Sequence, residues 1–351
     1  MPNVITLDGI PVGSSHHPYC IAELGHNHMG DLREAKKLIS MAAAAGVQAT
    51  KIQKRNNREL YTDSFYNSPY NSENAYAPTY GAHRDYLEFS SGEYFELQDH
   101  ADQCGVSFIA TAFDLLSLEF LQELDVPYFK IASGSIQNPL LLRETARLGK
   151  PVLASLGGAG DELVRRVAET ILKENDKLVL LHCTAAYPAK PEELGLGRIE
   201  WLADEYPECV IGYSDHDDGI ALAAAAYAYG ARVFEKHVTL DHTNKGTDHA
   251  FSLEPGGLHA YVKNLHEAYV SRVKLNHPIN AERGPIYKMG YAVYPARDLP
   301  KELVIKPTDL VIKSPADGIP AWEFDSLIGR RLTRDIKKEE KLDWSDFDGE
   351  H

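Results

Sequence analysis

Eight short apolar runs punctuate the chain, at 19–23, 49–54, 107–113, 128–133, 151–156, 178–184, 210–216 and 232–240. Each has the length and β-favouring content of a strand. Between them, apolar residues recur at the period of a helix with one buried face. The first such segment, DLREAKKLISMAAAAG over 31–46, starts on an Asp that can cap a helix and stops on a Gly. GEYFELQDHADQCG, NPLLLRETARLGK, DELVRRVAETILKEN and DDGIALAAAAYAYG read the same way. Alternating strands and helices predict an α/β fold with a parallel sheet, and eight repeats predict closure into a (β/α)8 TIM barrel. Ahead of them, VITLDGIPVG predicts a hairpin turning at Asp8-Gly9.

Two insertions break the rhythm. One, rich in Tyr and Asn, spans 55–91, and the other, DHTNKGTDHAFSLEPGG, follows the eighth run. Long loops of this kind shape the mouth of a barrel. From about Gly284 the pattern changes to Pro-rich, short β runs with no long helix. A barrel domain over 1–280, including the hairpin, followed by a small β-rich domain over 284–351 is the expected organisation.

Composition narrows the partners. A chain of 351 residues that is 44% hydrophobic can bury a large core. Its 36 Lys and Arg against 51 Asp and Glu give a net charge of −15, which argues against nucleic acid or an anionic membrane as partner. Any anionic substrate therefore needs a local basic site. Cys20, Cys104, Cys183 and Cys209 show neither C-x-x-C nor zinc spacing, so reduced thiols in a cytoplasmic protein are expected. MPNVITLDGIPVG lacks the pattern of a signal peptide, and no run reaches the length of a membrane span.

In such a barrel the chemistry gathers at the C-terminal ends of the strands, on the inward parity. The first run ends in Glu23, and the second carries Lys51 and Gln53 on one parity. Thr111 then Asp114, Lys130 then Ser133 and Ser135, and Ser155 then Gly157-Gly158 end the next three. The last three offer His182 and Thr184 with Tyr187 beyond, Ser214 with His216, and Glu235 with His237. A lone strand-end lysine is commonly a surface residue, but Lys51 and Lys130 lie within apolar runs. With the hydroxyls and glycines they suit an anion carrying phosphate and carboxylate. His216 and His237, on adjacent strand ends, can reach one metal ion, with Asp215, Asp217 and Glu235 as supporting groups; two hydrogen-bonded core histidines are the plainer alternative.

IAELGHNHMGD, KIQK, FIATAFD, FKIASGS, LHCTAAYPAKPEEL, IGYSDH, EKHVTLD and GTDHAFSLEPG occur in that order over about 19–257, and there the chain resembles the sialic acid synthase family. DLVIKSPADGIP and LIGRRLTRDI resemble that family's antifreeze-like (SAF) domain. The resemblance implies condensation of phosphoenolpyruvate with N-acetylmannosamine or a related N-acylhexosamine, giving a nonulosonic acid and phosphate with C–O cleavage. It implies a phosphoenolpyruvate site at Lys51, Thr111, Lys130, Ser155 and Ser214, and a divalent metal, Mn2+ or Mg2+, on His216 and His237. It further implies sugar contacts from Gln53 and Tyr187, and acid–base or water-positioning roles for Glu23 and Asp248. A domain-swapped homodimer is implied as well.

Departures leave the sugar open. Lys313-Ser314-Pro315-Ala316 stands where many bacterial members carry Lys-Arg-Pro-Gly, and Ser135 where many carry an acid. TYGAHRDYLEFS looks more like animal members that use a 6-phosphorylated sugar, and Arg55, Arg58, His83 and Arg84 could meet such a phosphate or pair with Glu59, Asp63 or Asp85. The free sugar is the expectation; the 6-phosphate and legionaminate- or pseudaminate-type sugars are the alternatives. Two further rivals are a Schiff-base aldolase through Lys51 or Lys130 and a sugar-binding protein without catalysis.

Overall fold

The structure, a computed structural model, describes residues 4–275 and 279–349. Strands β1 (Val4–Leu7) and β2 (Ile10–Gly13) form the N-terminal hairpin. Eight parallel strands then close into a barrel: β3 (Tyr19–Gly25), β4 (Ala49–Lys54), β5 (Ser107–Ala112), β6 (Phe129–Ile131), β7 (Val152–Ser155), β8 (Leu178–Cys183), β9 (Val210–Asp215) and β10 (Val233–His237). β10 pairs with both β9 and β3, which leaves no free edge.

Helix α1 (Leu32–Ala44) follows β3, and the β4–β5 crossover holds α2 (Asn57–Leu60), α3 (Asp63–Tyr66), α4 (Tyr80–Leu87) and α5 (Ser91–Cys104). α6 (Leu115–Glu123), α7 (Pro139–Arg147), α8 (Asp161–Leu172), α9 (Gly197–Glu205) and α10 (Leu222–Ala228) fill the next five crossovers, and α11 (Pro255–Ser271) follows β10. Local chemistry sets their ends. The Asp31 carboxylate accepts from the backbone N–H of Arg33 and Glu34 to start α1, and α5 starts on a Ser90–Glu93 capping box and stops at Gly105 with φ +75°. On α1, Ala35, Leu38, Ile39 and Ala42 form the buried stripe. Each fully buried Leu or Ile of this shell between strands and helices contributes about 1.5–3 kcal/mol. The sixth strand is shorter than its apolar run because Ser133–Gln137 coils into a 3-10 turn.

The chain divides into two compact units, Met1–Arg272 and Val273–His351. The second contains α12 (Arg283–Met289) and the antiparallel pair β11 (Ala292–Pro295) and β12 (Leu310–Lys313), and it packs its own core around Val293, Leu299, Ile305 and Leu332.

Inside the barrel the inward residues change character with height. Tyr19, Ile21, Ala49, Ile109, Tyr128 and Leu153 interlock at the N-terminal end, joined by Ile5, Leu7 and Val12 of the hairpin. The hairpin is tied on by Ser107, whose hydroxyl donates to Asp8 Oδ2 at 2.5 Å. Above this layer the same parity delivers Glu23, Lys51, Thr111, Lys130, Ser155 and Glu235.

Candidate active site

These upper residues line a cavity of about 310 Å³ at the C-terminal end of the barrel. Its floor is an ionic cluster drawn from several strands. Lys51 Nζ lies 2.6 Å from Glu23 Oε2 and 3.6 Å from Glu235 Oε1, and donates to Thr111 Oγ1 at 2.9 Å. Lys130 Nζ is 3.5 Å from the same Glu235 oxygen, which also accepts from Ser214 Oγ at 3.3 Å. Burial opposes ionisation of Glu235, but Lys130 and Lys51 outweigh it and hold its pKa down to about 2. Burial likewise opposes the Lys51 charge; Glu23 and Glu235 overcome it and raise the pKa. Lys130 has Glu235 alone as a close carboxylate, so burial prevails and its pKa is lowered. The buried Ser155 Oγ and Glu235 Oε2 have no hydrogen-bond partner. Buried polar atoms are seldom left so, and these two line a cavity whose lysines and hydroxyls suit a small anion.

The wall is aromatic and imidazole. His216 Nδ1 donates to the Thr184 carbonyl at 2.8 Å, which leaves its Nε2 as a free lone pair, and burial followed by His237 pushes its pKa down to about 3. The His216 and His237 rings lie 5.5 Å apart, and Tyr187 packs on His216 at 4.3 Å. His237 Nδ1 is buried without a hydrogen bond, 3.8 Å from Asp248 Oδ2. Gly25 keeps this corner open: its φ is +52°, and a Cβ there would come within 3.0 Å of Asp248 Oδ2 and 3.4 Å of His237 Nδ1. A neutral imidazole with an open nitrogen and a second imidazole with an orphaned one form a pair of donors that would suit a divalent cation whose other positions are filled by other ligands. Among the described residues, no group of three or more His, Cys, Asp or Glu side chains is gathered as a metal site.

Glu23, Lys51, Gln53, Thr111, Lys130, Ser155, Tyr187, Ser214, His216, His237 and Asp248 all line the one cavity. Gln53 reaches across to donate to Glu23 Oε1 at 2.8 Å. Five expectations change. His182 and Thr184 point outward, where both bond the Leu194 carbonyl, and Cys183 is the inward residue, 3.6 Å from both Ser133 Oγ and His216 Nδ1. Asp114 caps α6. Asp215 and Asp217 also face out, onto Lys236 at 3.0 and 2.6 Å. Glu235 is no accessory to the histidines but the shared counter-charge of both lysines, a position signalled only by its parity with His237. Ser133, which accepts from the Gly157 N–H at 3.0 Å, lines the cavity where Ser135 does not.

Comparison with known proteins gives consistent relatives. Residues 38–274 match the NeuB family and residues 292–348 match the SAF domain. N-acetylneuraminate-9-phosphate synthase of Homo sapiens is 36% identical over 94% of this chain and 93% of its own length. N,N'-diacetyllegionaminic acid synthase of Campylobacter jejuni is 34% identical over 92% of this chain and 98% of its own. The crystal structure of N-acetylneuraminic acid (sialic acid) synthetase from Leptospira borgpetersenii, in complex with citrate, superposes with a TM-score of 0.71 at 32% identity, covering 82% of this chain and 96% of that one.

Proposed function

This chain belongs to the NeuB family, and from that membership and the geometry of the cavity we propose that it is a synthase condensing phosphoenolpyruvate with an N-acylmannosamine-type sugar. The observation that carries the proposal is the floor, where Lys51 and Lys130 are buried beside the unpartnered Ser155 hydroxyl, in the same cavity as the neutral His216. Lys51, Thr111, Lys130, Ser155 and Ser214 hold the phosphate and carboxylate of phosphoenolpyruvate. Its carbon 3 bonds to the aldehyde carbon of the open-chain sugar, whose oxygen ends with the proton that Glu23 takes from the attacking water, the water's other proton leaving on the phosphate. Water adds to the cation left at carbon 2, and phosphate leaves with the bridging oxygen. Glu23, fixed by Lys51 and Gln53, orients that water and takes its proton. Gln53 and Tyr187 face the sugar, and Asp248 stands beside its aldehyde end. Mn2+ or Mg2+, held by His216 and His237, supplies Lewis-acid polarisation of the aldehyde when bound. The remaining effect is placement and electrostatics in a buried site.

The test is phosphate release from phosphoenolpyruvate labelled with heavy oxygen at the bridging position. Sugar-dependent release of labelled phosphate, abolished by chelator and by His237→Ala, is the expected result. Label retained in the organic product would exclude C–O cleavage, and activity persisting in His237→Ala under chelation would exclude the metal role. The lowered pKa of Lys130 favours one competing reading, a Schiff-base aldolase; borohydride inactivation in the presence of pyruvate would favour it instead.

The four cysteines are unpaired, in keeping with work in the cytoplasm, and no helix among the described residues is long and apolar enough to cross a membrane. Assembly as a domain-swapped homodimer belongs to the same proposal. Trp322 of the C-terminal unit, 97% exposed, is a surface that a second copy would cover.

A further inference from the structure

Above the floor, the same cavity carries a second cationic centre that the reaction described so far does not use. Lys51, Gln53 and Arg55 follow one parity, each about 6.6 Å further along the strand direction than the last. Arg55 is 7% exposed; its guanidinium lies 3.7 Å over the Phe113 ring, donates to Gln53 Oε1 at 2.6 Å and sits 3.1 Å from His26 Nε2. From α4, Arg84 approaches the other side of the same ring, 3.1 Å from His26 Nδ1, and donates to the Tyr80 hydroxyl at 3.0 Å. Its Nε is buried and has no partner.

This arrangement is unsatisfied in two ways. A neutral imidazole accepts on one nitrogen only, so one of the two guanidiniums faces an N–H. Burial, Arg55 and Arg84 together push the His26 pKa well below its usual range, so the ring cannot be read as a third cation. Among the described residues neither guanidinium forms an ion pair with a carboxylate; Glu88, the nearest candidate on Arg55, is engaged by Lys54 at 3.2 Å and by the Arg55 backbone N–H at 3.3 Å. A buried arginine is ordinarily paired, and here Arg55 is buried and Arg84 half-buried with its Nε sealed from solvent. The other cations of the insertion are accounted for: Arg58 stacks 3.5 Å over Tyr66, and His83 Nδ1 accepts from the Tyr76 N–H at 3.2 Å.

Resting on the synthase reading above, we infer that Arg55, Arg84 and His26 form an anion site for a phosphate carried by the sugar at the end remote from its aldehyde. A phosphate dianion matches two guanidiniums in charge, accepts from each in the planar bidentate manner, and takes the imidazole N–H that otherwise faces a cation. Phosphoenolpyruvate has its own cations at the floor, Lys51 and Lys130, so the rim pair is left for the second substrate.

The test compares N-acetylmannosamine 6-phosphate, free N-acetylmannosamine and a 6-deoxy-2,4-diacetamido hexose as partners of phosphoenolpyruvate, in the unaltered protein and in Arg84→Ala and Arg84→Lys. The phosphorylated sugar is expected to be preferred, with Arg84→Ala costing about ten- to a hundredfold in its kcat/KM, Arg84→Lys recovering part of that loss, and the KM for phosphoenolpyruvate unmoved. Comparable or faster turnover of either unphosphorylated sugar would overturn the phosphate site while leaving the synthase standing. A phosphate preference indifferent to Arg84→Ala, or a loss that appears in the phosphoenolpyruvate KM instead, would also overturn it. Consumption of phosphoenolpyruvate with none of the three would overturn the synthase reading itself.

Discussion

Lys51 and Lys130 stand at nearly equal distances from one oxygen of Glu235, yet their pKa values move in opposite directions: burial prevails at Lys130, where Glu23 acts only weakly, and is overcome at Lys51, which Glu23 contacts at 2.6 Å. The sign of the pH effect follows. The ammonium form binds the anion, and a lowered pKa means that Lys130 loses its charge earlier as pH rises, below the usual lysine value of 10.5. Affinity for phosphoenolpyruvate should therefore fall on the alkaline side before ordinary lysines titrate. Lys130→Met should lose about ten- to a hundredfold in affinity at neutral pH and flatten that limb. Calorimetric titration of both forms across pH reads this directly, and a pH-independent affinity up to 10.5 would contradict it. Most of the inward set was legible from strand-end parity. His182 and Thr184 were misplaced for a physical reason: a parallel barrel strand is buried on both faces, so Leu178 and Leu180 look no different from Val179 and Leu181, and the alternation does not say which side faces in. The role of Glu235 depends on which strands meet when the barrel closes, and no local pattern carries that.

At the scale of elements, the outer side of β9 and β10 holds a counterpart to the site. Lys236 is 1% exposed, donates to the Asp217 carbonyl and carboxylate at 2.6 Å each, and lies 3.0 Å from Asp215. His216 is flanked by these two aspartates, and His237 follows the lysine, so one buried ionic clasp pins both imidazole-bearing strand ends. Lys236→Met would leave two buried carboxylates uncompensated, Asp215 among them with a pKa that burial has already raised to about 7. The expected cost is about 3–5 kcal/mol in denaturant unfolding; a loss below about 1 kcal/mol would show the clasp to be incidental. The eight strands were legible as apolar runs. The three helices α2, α3 and α4 in the insertion were not, because helices of four to eight residues have too few turns to show a period and depend on the caps Asn56, Thr62 and Thr79.

The whole molecule sets a net charge of −15 against a site that concentrates two lysines and two arginines in one cavity, so the attraction for anions is local to the mouth. The shift from barrel to a small β-rich unit was legible in composition. The sealing of the barrel's base was not, since Ile5, Leu7 and Val12 read as an ordinary hairpin face until the strands close around them. With that base stoppered, the cavity is a blind alley, and traffic through it must queue. On the proposed assignment phosphoenolpyruvate sits at the dead end, so it should enter first, and a sugar seated above it should bar its exit. The kinetic signature is compulsory order: sugar should slow the release of bound phosphoenolpyruvate, and excess sugar arriving first should inhibit by blocking the passage. Isotope trapping of prebound phosphoenolpyruvate reads this order: saturating sugar should trap nearly all of the bound label, and trapping that levels off well below the amount bound would mean that a second way out exists.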